Sequence, residues 1–318
     1  MKKENIYAGA STRWDKVDVG VIGTGTMGRN HVRVYSEQKQ VSDLYVYDVN
    51  YQATTNVALQ NDAIPCDTLS SLLDNVDAVS ICVPTEHHLA TAREVFQAGV
   101  HALIEKPICK TVAEAEKLKE MIPPDLVVGV GHIERFNPIV PEIKRICREP
   151  LYVEINRHNP SSSRISGATV VEDLMIHDVD ILCHVLFGDG YTLTAAGTED
   201  IASALFRFGS TPAYLSASRK SSKKVRRIYI EEEELTIEGD FMTQEIFSYW
   251  KPEKYQVENE RYVQENIIEK VMVNKVEPLK VELSTFLDCA KQHKPFPVTP
   301  DQAIHDLGVC EEIKAGLS

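Results

Sequence analysis

An α/β chain that opens on a doubly wound parallel sheet and continues into a second α/β domain, built on a large and mostly antiparallel open sheet, is predicted by three features of these 318 residues. Residues 17–133 alternate short apolar runs with helical patterns, the signature of βαβ units. A glycine-rich turn, Gly23-x-Gly25-x-x-Gly28, joins the first apolar run to the first helix. After Gly188 the pattern changes to long alternating segments, as antiparallel strands require.

Residues 1–16 carry Lys2 and Lys3 without an apolar stretch and read as a loose leader. Val19 to Ile22 form the first strand. Gly23 allows the sharp turn, Gly25 lets a pyrophosphate approach the backbone, and Gly28 lets the helix pack on the strand. The backbone of Gly25, Thr26 and Met27 would then meet the phosphates at the positive end of the helix. Leu44 to Tyr47 form a second strand that ends at Asp48, where an acid that binds the ribose hydroxyls belongs. Neither Val49 nor Asn50 offers a cation for a 2′-phosphate, so NAD is the expected cofactor.

Further strands are expected at Ala63–Cys66, Ala78–Val83, Val100–Ile104 and Leu126–Val130. Thr85 is expected to cap a helix running to Ala98, and Thr111 with Glu114 forms a capping box for the next. From residue 134 to 318 a second domain is expected. A helix over Pro138–Arg148 and a strand over Leu151–Asn156 precede an apolar helix over Asp173–Phe187. Alternating segments then run to Trp250. The final helix has Thr299, Pro300 and Gln302 as its start signal, and is expected to pack back on the first domain.

Composition excludes several classes of protein. With 43% hydrophobic and 25% charged residues the chain is an ordinary globular one, and a formal net charge of −13 argues against a nucleic-acid partner. No apolar run is long enough to span a bilayer, which predicts no membrane partner and a cytoplasmic location. The seven cysteines are scattered without a C-x-x-C pair, so no disulfide framework, structural zinc site or other metal is indicated. An open sheet with few helices left to cover it predicts a homo-oligomer.

Two groups of residues could carry chemistry. Glu105-Lys106-Pro107 follows the Val100–Ile104 strand directly, so Lys106 reaches the carboxyl edge of the parallel sheet, where a desolvated lysine can exchange a proton with a hydroxyl. Asp173, His177, Asp180 and His184 are spaced four, three and four residues apart, a polar stripe on an otherwise apolar helix. That stripe can be a metal site, a His177 acid/base oriented by Asp173, or a set of hydrogen-bonded core residues. Arg135, Arg157 and Arg164 are candidates for a forked grip on an anion. The basic run from Arg219 to Arg227 reads as a solvated edge or a second phosphate site.

GTGTMGRNH, Asp48, ICVPTEHH from Ile81 to His88, EKP from Glu105 to Pro107 and the Asp173–His177–Asp180 helix occur in one order, and that order resembles the Gfo/Idh/MocA oxidoreductases over nearly the whole chain. The resemblance implies a Rossmann domain and hydride transfer between a sugar or cyclitol and a nicotinamide cofactor. It places Lys106, Asp173 and His177 at the family's catalytic positions, and Pro84, Thr85, His88, Glu105 and Lys106 beside the cofactor. GHIERFNP from Gly131, the Arg157 to Arg164 segment and EPLKVEL from Glu277 are similar to the branch that oxidises the C3 hydroxyl of UDP-N-acetylglucosamine. A sugar nucleotide is therefore the expected small-molecule partner, with Arg135, Arg157, Arg164 and His177 on it, in a homodimer or homotetramer. One residue departs from the pattern: Met175 stands where the family often has glycine.

Overall fold

In the computed structural model, residues 16–160, 168–251, 255–258, 261–264 and 267–317 are described, and they divide into two compact units. The first runs to Ile104 and takes in Met121–Gly129 and Leu283–Phe296; the second holds Glu105–Glu120, Val130–Glu282 and the chain from Pro297. The expected boundary at residue 134 is thus displaced, because the chain crosses between the units several times. Among the described residues no helix is long and apolar enough to cross a membrane.

The first unit is built on six strands: β1 (Val17–Ile22), β2 (Val41–Tyr47), β3 (Ile64–Pro65), β4 (Ala78–Ile81), β5 (His101–Glu105) and β6 (Val128–Gly131). Their order is β3-β2-β1-β4-β5-β6, the dinucleotide-binding arrangement, with parallel pairing of β1 to β2 and β4, of β2 to β3 and of β4 to β5. β4 and β5 are buried along their whole length, as parallel strands covered on both faces must be. Helices α1 (Thr26–Ser36), α2 (Tyr51–Gln60), α3 (Leu69–Leu73) and α4 (His88–Gln97) connect the first five strands. α1 buries Val32, Val34 and Tyr35, and the Tyr35 hydroxyl pairs with Ser80 Oγ inside the core at 2.9 Å. Thr85 does not cap α4 as expected. It opens a short 3-10 turn, Thr85–His87, and α4 begins at His88 without a side-chain cap.

The second unit has an eight-stranded sheet, β7 (Tyr152–His158) to β13 (Glu245–Trp250) with β16 (Ile267–Val271), in the order β16-β13-β12-β11-β7-β10-β9-β8. Here β8 is Tyr191–Gly197, β9 Ile201–Phe208, β10 Thr211–Ser218, β11 Val225–Glu231 and β12 Leu235–Asp240, while β14 (Tyr255–Glu258) and β15 (Arg261–Gln264) pair separately. Every pairing in the large sheet is antiparallel except β7 with β10. Strict alternation of buried and less buried residues along β7 and β9 gives one face to the core. That face is covered by α6 (Ile139–Ile146), α7 (Ile176–Ile181) and α9 (Pro300–Ala315), with Ile139, Ile155, Met175, Phe206 and Ile313 fully enclosed. π-helical turns, Val171–Met175 and Leu182–Leu186, flank α7.

α9 has the expected capping box at Thr299 and Gln302. It packs on α5 (Val112–Glu120), where Glu311 accepts the Val112 amide at 3.2 Å and Lys119 pairs with Asp301. Both helices belong to the second unit, so the last helix meets the helix expected in the first domain without leaving its own unit. α8 (Pro278–Gln292) precedes it.

Candidate active site

The turn between β1 and α1 leaves room for a phosphate at one glycine and for nothing at the other two. A β-carbon on Gly23, whose φ is +98°, would lie 2.7 Å from the Cys82 backbone, and one on Gly28 would lie 1.8 Å from the Gly23 oxygen. One on Gly25 would meet nothing within 4 Å. Gly25 is also the N-cap of α1 and brings no side chain to the first-turn amides, so these stay directed at whatever occupies that space. Thr26 is exposed and Met27 half-buried at the same edge. A pyrophosphate fits here.

Asp48 is fixed by the loop it serves. One carboxylate oxygen accepts the Thr24 amide at 2.6 Å and the Thr24 hydroxyl at 2.9 Å, and the other accepts the Asn50 amide at 2.9 Å. Thr24 is therefore part of the site, although glycine spacing alone does not single it out. Arg29 was also missed: it is exposed one turn into α1, and its Nε donates to the Thr24 carbonyl at 3.0 Å. Pro84 and Thr85 follow β4 at the surface. His88, expected beside the cofactor, is buried, and its Nε2 lies 2.9 Å from the Val83 carbonyl, clipping the turn after β4.

In the second unit Lys106, Asp173 and His177 come together. Lys106, joined to Pro107 by a cis bond, places Nζ 2.6 Å from the Asp173 carbonyl oxygen and 3.8 Å from its carboxylate. Burial pushes the Lys106 pKa down; Asp173 and Glu105 oppose this, and the net shift is downward. Glu105 is buried and accepts the Lys106 amide at 3.3 Å. His177 is held well below the usual histidine range, by burial first and then by the charges of Lys106 and Arg157. Its Nδ1 is buried without a hydrogen bond, so Asp173 does not orient it as the sequence suggests.

The rest of the polar stripe has partners on other elements. Asp180 takes a two-pronged bond from Arg135, with Nε at 2.7 Å, and His184 Nε2 lies 2.9 Å from Asp306. Arg135 also lines a cavity of about 470 Å³ together with Phe136, Lys144, His184 and Asn274.

Arg157 is not available to a substrate. It is 1% exposed, with Asp178 at 2.7–3.1 Å and Glu134 at 2.8 Å on its guanidinium, an ion network inside the core. Arg164 lies outside the described residues. The basic run is largely matched by carboxylates of the same unit: Arg219 and Lys220 by Asp200, Arg226 by Glu134 and Arg227 by Asp240.

The family model of the oxidoreductase family with an NAD-binding Rossmann fold, Gfo/Idh/MocA, matches residues 17–136. The chain is 32% identical to a UDP-N-acetylglucosamine 3-dehydrogenase of Acidithiobacillus ferrooxidans, over 87% of this chain and 89% of the relative. It is 30% identical to an inositol 2-dehydrogenase/D-chiro-inositol 3-dehydrogenase of Halalkalibacterium halodurans, over 54% of this chain and 53% of the relative. Among solved structures, that of the Acidithiobacillus ferrooxidans UDP-N-acetylglucosamine 3-dehydrogenase superposes with a TM-score of 0.85, covering 95% of this chain and 97% of that one at 30% identity. A levoglucosan dehydrogenase in complex with NADH and levoglucosan shares the fold, with a TM-score of 0.81 at 15% identity, over 95% of this chain and 97% of that one. The chain belongs to the Gfo/Idh/MocA oxidoreductases, and the cofactor of its Rossmann unit is NAD.

Proposed function

We propose that the protein oxidises the C3 hydroxyl of UDP-N-acetylglucosamine to the 3-keto sugar nucleotide. The observation that carries the chemical part is the cluster of a desolvated lysine and a neutral histidine, Lys106 and His177, on adjoining backbone in the second unit. The choice of sugar is supported by the 32% identity to the Acidithiobacillus ferrooxidans enzyme over most of both chains.

Gly25, Thr26 and Met27 hold the cofactor's pyrophosphate through backbone amides, and Asp48 takes its ribose hydroxyls. Bound NAD supplies the acceptor for the hydride. His177, uncharged in the fold, has a ring-nitrogen lone pair with which to take the hydroxyl proton. Lys106 is held at Nζ by Asp173 and donates a hydrogen bond to the sugar oxygen as charge builds there. Arg135, on the rim of the cavity, is the candidate for the diphosphate handle, whose binding energy positions C3. The outer face of the large sheet, which exposes Ile201 and Leu205 on β9, meets another copy in a homodimer or homotetramer.

The test is reduction of NAD by the purified protein with UDP-N-acetylglucosamine, free N-acetylglucosamine and myo-inositol at matched concentrations. NADH is expected with the UDP-sugar alone. Efficient oxidation of inositol or of the free sugar would overturn the assignment.

A further inference from the structure

Behind His177 lies a set of buried titratable groups that reaches the surface. His132 is fully enclosed, its ring edge-on to His177 with centroids 6.2 Å apart, and neither of its nitrogens makes a hydrogen bond within the protein. Its Nδ1 lies between two buried carboxylates, 3.7 Å from Asp180 and 3.8 Å from Asp306 Oδ2. The other oxygen of Asp306 is 2.9 Å from His184 Nε2 and 3.6 Å from His305 Nδ1. His184 lines the 470 Å³ cavity, and His305 Nε2 lies 3.2 Å from Asp189, which is 85% exposed. All these residues belong to the second unit.

Unpartnered polar atoms buried in a row need an explanation, since each has lost its bonds to water and gained none in the fold. We propose that His132 and Asp306 form a proton-release path that carries the proton accepted by His177 to His184 and the cavity it lines. The proposal rests on the reading of His177 as the base.

The step balances. The C3–H bond breaks with both electrons going to NAD, the O–H bond breaks as an N–H bond forms on His177, and C3 gains its carbonyl. The second ring nitrogen of His177 gives its own proton, across one bridging water, to the lone pair of His132, since the two rings make no direct hydrogen bond. His132 becomes a cation between Asp180 and Asp306 and gives its other proton to Asp306 Oδ2; the other Asp306 oxygen passes a proton to the lone pair of His184 Nε2, and His184 releases its Nδ1 proton to water in the cavity, so that Asp306 is an anion again. One proton leaves for each NADH formed. Two further features suit the path. Burial first, and then the charges of Lys106 and Arg157, make a proton on His177 unfavourable, which drives it onward. Asp306 is held to about 2: burial raises it, but His184 and His305 outweigh that, so it faces a charged His132 as an anion and holds a proton only in passing. Arg135 balances Asp180, leaving the Asp306 charge for His132.

The test uses the full chain with His132→Gln and Asp306→Asn. Each is expected to lower kcat by about tenfold or more without raising KM, to increase the solvent deuterium isotope effect on kcat, and to regain rate as imidazole is added. Unchanged kcat and isotope effect in folded variants would overturn the path, as would a stoichiometric metal ion found in the purified protein. If both core variants fail to fold, His184→Gln at the cavity is read by the same measures. A second measurement does not depend on the sugar. In ¹⁵N-histidine-labelled protein with NAD bound, exchange of the His177 ring proton with water is expected to slow about tenfold in the variants. Equal exchange would sink the path even if the sugar assignment failed, and slowed exchange would uphold it in that case.

Discussion

Gly28 lies so close to Gly23 that a β-carbon on it would come within 1.8 Å of the Gly23 carbonyl oxygen, while Gly25 between them faces open space. The three glycines of one motif therefore serve two ends, folding and binding, and substitution separates them. Gly28→Ala must push the helix off the strand and is expected to cost about 1–3 kcal/mol of stability. Gly25→Val, at a φ of −64°, is expected to leave Tm unchanged and to weaken NAD by at least about tenfold, 1.4 kcal/mol. Thermal melts with and without NAD decide it; a Gly25→Val protein that binds NAD normally would remove the pyrophosphate from this turn.

Asp48 and Arg29 stand on either side of Thr24, an acid and a cation at one loop. The acid should set the preference for NAD by repelling a 2′-phosphate. In Asp48→Ser that repulsion is gone while Arg29 remains, so the ratio of kcat/KM for NAD over NADP is expected to fall by at least about tenfold, and adding Arg29→Ala should reverse part of the change. A ratio that does not move in Asp48→Ser would exclude this carboxylate as the discriminator.

Lys106→Met is expected to reduce kcat by about 10²–10⁴-fold with NAD binding nearly intact. It should also move His177, because the ammonium is one cause of that residue's low pKa after burial. In NMR titrations the His177 pKa is expected to rise toward its ordinary 6.5 in the variant. The sign for stability follows. The unfolded imidazole binds a proton as pH falls through 6.5 and the folded one does not, so the wild type loses stability at this site below that pH, and the variant loses less. A His177 titration identical in both proteins would separate the two residues.

Arg157→Met is expected to cost about 3–5 kcal/mol, since it strands Asp178 in the core and leaves Glu134 to Arg226 alone among its cations. Glu134 adds a pH signature. Burial raises its pKa, but Arg157 and then Arg226 outweigh this and hold it below 4.5, so its contribution is present above that pH and is lost as pH falls through the lowered value. Urea denaturation at two pH values checks both. A cost under about 1 kcal/mol with a raised KM would return Arg157 to the substrate.

Sequence periodicity made the two sheets legible, because β1, β4 and β5 carry buried runs while β7 and β9 alternate, and these patterns follow directly from how many faces are covered. Lys106 was legible too, through its place directly after a strand. Arg157 was not: an arginine in a strand looks the same in sequence whether its partners are a ligand or Asp178, which lies 21 residues away. The His132 to Asp306 path was hidden for the same reason, since Asp306 sits on α9 and comes to its partners only through the packing of that helix on α7. The stripe Asp173, His177, Asp180 and His184 was legible as a stripe but its partners were not, since Arg135 and Asp306 come from other elements.

The first of the π-helical turns that flank α7 contains Asp173, and the shortest contact of the Lys106 ammonium there is to a main-chain oxygen, 2.6 Å, with the carboxylate more distant at 3.8 Å. The lysine's anchor is thus a property of the path of the chain, inherited by whichever side chain occupies position 173. Asp173→Ala should leave the ammonium tethered and take away only the weaker, longer-range attraction. Insertion or deletion of one residue between Val171 and Met175 is the more damaging change, because it would swing that oxygen round the helix by about 100° while leaving every named side chain in the sequence.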